Sequence, residues 1–207
     1  MPLKFKWETE FKKTEIGEIP KEWRAEEVRN LIDKNKKFSI VDGPFGTQLK
    51  SPEFVDSGVP VIAISNVQWG YLDTSELKYV TPQKARSLAR YTVRPGDILV
   101  TRMGTVGRSC IVPPEADGWL ISYHLLRIAV RKEVCNPRYL FYCFRGSRDI
   151  GKQIEQKVRG ATRAGVNTTI LNHLRFPLPP LPEQLRIIAY LDEVQAHVTA
   201  LKRAQEA

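Results

Sequence analysis

The residues best suited to chemistry on an anionic partner lie in three stretches that contain no acidic side chain. Residues 43–52 carry Thr47, Gln48 and Lys50; residues 98–114 carry Arg102, Thr105 and Arg108; residues 156–182 carry Lys157, Arg159, Thr162, Arg163 and Asn167. Each stretch joins cations to small hydrogen-bonding side chains on glycine-containing loops. Glycine lets the main chain approach a phosphate closely, and hydroxyls and amides donate to phosphate or read base edges. The arginine fork matches guanine, and a Gln or Asn amide matches adenine. Asn66, near the end of the apolar run 59–67, joins the candidate set. Aromatic residues are not interleaved with these cations, which disfavours a stacking platform for single strands.

A basic balance points the same way. Lys and Arg number 32 against 23 Asp and Glu, a net charge of +9. Such a charge suits a polyanion, nucleic acid before an acidic membrane surface.

Catalytic constellations are not found. The segment 46–51 resembles a phosphate loop, but Leu49 stands where a glycine should precede the lysine. No G-x-G-x-x-G follows a strand, and no N/D/S-P-P-Y/F tetrapeptide of an adenine methyltransferase occurs. His124, His173 and His197 are far apart, with no partner at zinc spacing. His124 is expected inside a strand as a buried, satisfied imidazole. Asp56 with the E-x-K at Glu76-Leu77-Lys78 leaves a remote reading as a metal-dependent nuclease. No catalytic residue and no metal ligand is assigned. Cys110, Cys135 and Cys143 form no CxxC pair, and their odd number argues against a disulfide framework. With no export signal and no long apolar span, the expected location is cytoplasmic, off the membrane.

These loops need elements to hold them. The sequence predicts a turn and an aromatic anchor at Trp23, a short helix over 25–32, and strands at 38–41, 59–67, 97–101, 109–112 and 120–130. Helices are expected after Thr81-Pro82, after Asn136-Pro137, after Ser147 with Ile150, Ile154 and Val158 on one face, and after Asn167. A short extended piece at 175–178 and a proline strap precede the last helix, with Pro182 at its first turn followed by Glu183 and Gln184. That helix repeats apolar residues at Ile187, Leu191, Val194, Val198 and Leu201, a narrow seam for packing on another helix. The fold class is α+β: a mixed domain over 1–178, then strap and helix over 179–207.

Taken in order, IGEIPKEW (16–23), GPFGTQLK (43–50), VPVIAISNV (59–67), RPGDILVTRMGTVGR (94–108), the G-A-T at 160–162 and FPLPPLPEQLRIIAYL (176–191) resemble the specificity (S) subunit of type I restriction-modification systems. The resemblance implies a DNA target recognition domain with a curved, largely antiparallel sheet, followed by a coiled-coil-like spacer helix. It implies that this chain catalyses nothing and binds no cofactor. S-adenosylmethionine, ATP and magnesium belong to its partners, the modification (methyltransferase) and restriction subunits. Arg102, Thr105 and Arg108 stand in the shared pattern, which suits phosphate contact or loop architecture better than choice of base.

Members of that family usually carry two recognition domains and two spacer helices, and this sequence holds one of each. The expected function is therefore recognition of one half of a bipartite double-stranded site. The second half would come from the same parent chain or from homodimerisation. The alternative is an assembly module whose helix docks modification subunits with little DNA binding of its own.

Overall fold

The computed structural model describes residues 10–33, 38–103, 107–146, 148–159 and 165–206. Strands β1 (Phe11–Thr14) and β2 (Gly17–Pro20) form a hairpin whose turn uses Gly17 at φ 103°. Strand β3 (Arg24–Glu27) then runs straight into the one-turn helix α1 (Val28–Leu31). The sequence predicts helix throughout 25–32. The first half is extended instead, because β12 (Arg175–Leu178) pairs with β3 in antiparallel register, Phe176 opposite Glu26. Val28 and Leu31 point inward as expected, both fully buried.

Two four-stranded sheets form the body. The first, in order β4 (Ile40–Asp42), β11 (Leu125–Ile128), β8 (Ile98–Thr101) and β9 (Ser109–Ile111), is antiparallel throughout. The second has the order β10 (Leu120–Ile121), β6 (Val59–Ile62), β7 (Lys78–Val80), β5 (Phe54–Val55), and its β10–β6 pair is parallel. The antiparallel pairing expected of one curved sheet is thus divided between two.

The first sheet is the middle layer. Successive side chains of a strand face opposite ways. Ile98 and Val100 of β8 accordingly enter a core with Leu140, Leu171, Phe176 and Ile188 from the helical side, while Leu99 enters a second core with Val61, Ile62, Val80 and Ile121 from the other sheet. Burial on both faces explains why Ile98–Thr101 reads as an unbroken apolar run ending in a buried threonine. The helical layer holds α3 (Pro137–Gly146), α4 (Arg148–Arg159) and α5 (Thr168–Asn172), with α2 (Pro82–Ser87) beside the second sheet. Thr81 caps α2 through its hydroxyl, which accepts from Lys84 N at 3.2 Å. Helix α6 (Leu181–Glu206) closes the chain, roughly 39 Å long at 1.5 Å per residue.

Two expected strands are shorter than the apolar run suggests. The run 59–67 leaves the sheet after Ile62, because Asn66 turns back and its side-chain Oδ1 accepts from Ala63 N at 2.7 Å. The run 120–130 is broken at Ser122–His124, where His124 adopts φ 73°, a left-handed conformation uncommon outside glycine. Among the described residues no helix is long and apolar enough to cross a membrane.

Candidate nucleic-acid interface

The first sheet delivers three loops to one of its ends. In the antiparallel register Asp42 at the end of β4 lies opposite Leu126, and Leu125 lies opposite Thr101 at the end of β8. The chain therefore leaves β4 and β8 and enters β11 at the same edge. Backbone bonds lock the loops together there. Gly43 N donates to Leu125 O at 2.9 Å, Arg102 N to His124 O at 3.0 Å, and Val166 N to Arg102 O at 2.9 Å. The last of these joins the third acid-free stretch to the other two. Glycine is required at both close approaches: a Cβ on Gly43 would stand 1.9 Å from Ser122 O, and one on Gly165 would stand 2.5 Å from Arg102 O.

Large apolar side chains stand open to solvent at this edge. Phe45 is 49% exposed, Tyr123 38% and Met103 37%. Phe45 and Tyr123 rings lie 5.8 Å apart, His124 lies 3.7 Å from Tyr123, and the Arg102 guanidinium is 5.9 Å from the Tyr123 ring. Arg102 approaches Asp42 at 3.7 Å, too far for a hydrogen bond. Asp42 Oδ1, Arg102 Nε and Nη1, and His124 Nδ1 are all shielded from solvent without a hydrogen-bond partner. Burial raises the Asp42 pKa, opposed by the nearby charges of Arg102 and Arg90. Burial lowers that of His124, and the positive charge of Arg102 adds to the effect.

Not every sequence candidate belongs to this edge. Thr47, Gln48 and Lys50 lie exposed on the 43–50 loop. Gln48 is partly committed, since its Oε1 accepts from Tyr91 Oη at 2.8 Å and from Phe45 N at 3.2 Å. Arg108 supports the loop rather than facing outward: its Nη2 donates to Ile64 O at 3.0 Å, tying the first sheet to the second. Asn167 caps α5, its Oδ1 accepting from Ile170 N at 2.8 Å.

Asn66 is a correction. Its side chain is buried, and the amide nitrogen donates to Asp73 O and Glu76 O, both at 2.9 Å. A fully bonded interior amide has nothing left to offer a base. Lys157 is exposed on α4, and Arg159 ends the same helix. Thr105, Thr162 and Arg163 lie outside the described residues.

His124 is a second correction: it occupies the turn before β11, and its Nδ1 lacks a partner, so it is not a satisfied strand imidazole. The sequence also missed Tyr123 and Phe45, whose proximity to Arg102 depends on pairing across the sheet. Asp56 and Glu76 are both exposed, and among the described residues no three His, Cys, Asp or Glu side chains converge as a metal site. Burial pushes the free thiols of Cys110, Cys135 and Cys143 up to about 12, so they stay protonated at neutral pH.

A different chemistry holds the base of α6. Gln184 is fully buried; its Nε2 donates to Val134 O at 3.0 Å and Pro179 O at 2.9 Å, and its Oε1 accepts from Asn136 N at 2.8 Å. One side chain of the first turn of α6 thus bonds both the strap and the turn before α3. One turn on, Ile188 enters the helical-side core. Asp192 receives Arg138 Nη2 at 2.6 Å and the Tyr142 hydroxyl, fastening α6 to α3. The boundary expected at 178/179 falls between β12 and α6, yet the opening turns of the helix share the domain core.

The seam begins on this chain's own surface. Ile187, Leu191, Val194 and Val198 line a groove of about 540 Å³ with Trp23, Tyr139, Tyr142 and Cys143. Ile187 and Leu191 are half-buried there, whereas Val194, Val198 and Leu201 remain exposed. The seam read as packing on a partner helix is therefore shared: its first turns pack at home.

The chain as a whole matches known proteins in sequence and architecture. The model of the type I restriction modification DNA specificity domain matches residues 7–207, and the chain belongs to that family. It is 32% identical over 196 residues to the relative named for the MjaX specificity subunit of a type I restriction enzyme in Methanocaldococcus jannaschii, covering 92% of this chain and 44% of that protein. It is 25% identical over 198 residues to the MjaIX specificity subunit of the same organism, covering 93% and 43%. The chain therefore spans less than half the length of these relatives.

Among solved structures, a chain from a study of complex assembly and conformational transition in the type I R-M system superposes with a TM-score of 0.66 at 25% identity, covering 91% of this chain and 42% of that one. The HsdS subunit of Thermoanaerobacter tengcongensis shares the fold at TM-score 0.62 and 22% identity, covering 94% and 42%.

Proposed function

We propose that this chain is a non-catalytic, sequence-specific reader of double-stranded DNA, recognising one half of a bipartite target for a type I restriction-modification complex. The observation that carries this reading is the convergence of the three acid-free stretches at one end of the first sheet, where the exposed 43–50 loop lies beside Arg102. Cations and small polar groups there engage phosphates, while the projecting side chains meet base edges. Helix α6, fixed at its base by Gln184 and Asp192, sets the distance to a second recognition half, supplied by the same parent chain or by a second copy. Modification and restriction subunits are its protein partners, and S-adenosylmethionine, ATP and magnesium act on those subunits.

The test is a salt titration of duplex binding by this chain. Between 50 and 200 mM salt, affinity falls about 10³-fold for ~6 phosphate contacts. A flat response overturns the reading. The assembly-module reading draws on the groove beside α3 and the exposed Val194, Val198 and Leu201. Co-elution with modification subunits on sizing chromatography, without duplex binding by either this chain or the resulting complex, would favour it.

A further inference from the structure

Resting on the DNA-recognition reading, we infer that Phe45 and Tyr123 read the C5-methyl group of a pyrimidine in the major groove. The observation behind it is apolar. Phe45, Met103 and Tyr123 are exposed together at the one edge where the acid-free loops meet. Exposed apolar side chains gathered at one place mark a surface for a ligand.

The edge is also held rigidly. Gly43 is seated against the Ser122 carbonyl, and His124 keeps a left-handed backbone, φ 73°, next to Tyr123. Strain maintained by surrounding structure accompanies sites of binding more often than idle surface.

Duplex chemistry narrows what covers the cluster, because base pairs present an apolar group in the major groove alone. Thymine carries its C5-methyl beside the O4 acceptor, with the adenine N7 acceptor and N6 donor across the pair. The minor groove shows no apolar group.

The ring pair is poorly shaped for insertion between base steps. Tyr123 packs beside Phe45 at 5.8 Å and His124 at 3.7 Å, both tilted by about 50°. A wedge must lie flat against a base to intercalate. Rings packed at a tilt against their neighbours suit side contact with a methyl group instead. The same chemistry is offered by thymine and by 5-methylcytosine, since a methylated C·G pair likewise sets a methyl beside an amino donor and guanine acceptors.

The experiment uses the chain itself. A randomised duplex pool yields the preferred sequence; that duplex is then remade with each thymine in turn replaced by deoxyuridine and, in a second arm, each cytosine by 5-methylcytosine. At one position, methyl removal is expected to weaken binding about fourfold, or methyl addition to strengthen it about fourfold, the effect of one buried methyl group. The first arm identifies thymine, the second 5-methylcytosine. Phe45→Ser and Tyr123→Ser, made separately at exposed positions, should melt like the parent, keep salt-dependent binding and lose the methyl response. Binding that is steeply salt-dependent but indifferent to every methyl group overturns this inference and leaves the DNA reading standing. A methyl response undiminished in both variants also overturns it. Absence of any duplex binding removes both.

Discussion

The loop edge and the base of α6 are built from similar residue types to opposite ends. At the helix base every polar group on view has its partner: Gln184 makes three hydrogen bonds, and Asp192 accepts from both Arg138 and Tyr142. At the loop edge Asp42 and Arg102 stand 3.7 Å apart with orphaned atoms, and aromatic rings face solvent. A satisfied network fixes one geometry. An unsatisfied one beside exposed apolar surface holds interaction capacity in reserve. The difference separates a joint from a binding surface within one small domain.

Four substitutions would break or sharpen this contrast. The largest effect is expected from Gly43→Ala, whose Cβ would stand 1.9 Å from the Ser122 carbonyl. The loops must part, and thermal denaturation should show a loss of about 3 kcal/mol. A variant as stable as the parent would mean that the edge is not locked. Next, Gln184→Ala strands the Asn136 N–H and two carbonyls; about 2 kcal/mol of stability should disappear. Duplex affinity of the folded fraction should stay unchanged. Weaker DNA binding at unchanged melting temperature would erase the distinction between joint and surface.

Arg108→Ala removes the bond to Ile64 O between the two sheets. About 1 kcal/mol of stability is expected to go with it, together with a uniform weakening across duplex sequences. A change in preferred base would assign Arg108 to readout instead of support.

The smallest effect concerns pH. Burial raises the Asp42 pKa above its ordinary 3.8. The stability linked to its proton is present in full below the unfolded pKa and is lost as pH rises through the folded value. Once ionised, the group sets a negative charge beside Arg102 and opposes an anionic ligand. Affinity should therefore rise as pH falls toward that raised value. Asp42→Asn should bind duplex about threefold more tightly at pH 7 and flatten the acid limb of the profile. An Asn variant with the parental pH profile would show that Asp42 does not oppose the ligand.

Much of the fold was legible because periodicity and caps are local. The Thr81-Pro82 start of α2, the Asn167 cap of α5 and the inward Ile150 and Ile154 of α4 all follow from neighbouring residues. Reading failed where a distant segment changed the outcome. Residues 25–27 became a strand because β12 arrived from far along the chain. The apolar run 59–67 ended early because the Asn66 amide found Asp73 and Glu76 carbonyls. The same long-range logic hid part of the site: Asn66 had the right chemistry in the wrong place, while Tyr123 had the right place and no local sign of it.

By itself the sequence determined which stretches could meet a polyanion, the order of elements, and the family to which the chain belongs, since composition, spacing and motif order need no folded contacts. Only the tertiary structure decided which of those residues act together. Sheet register brings Asp42, Arg102 and the 122–124 turn to one edge, and Gln184 makes the long helix continuous with the domain. The physical reason is that hydrogen-bond satisfaction is a property of pairs. A lone amide or guanidinium in the sequence does not reveal whether the fold will bond it internally or leave it for a ligand.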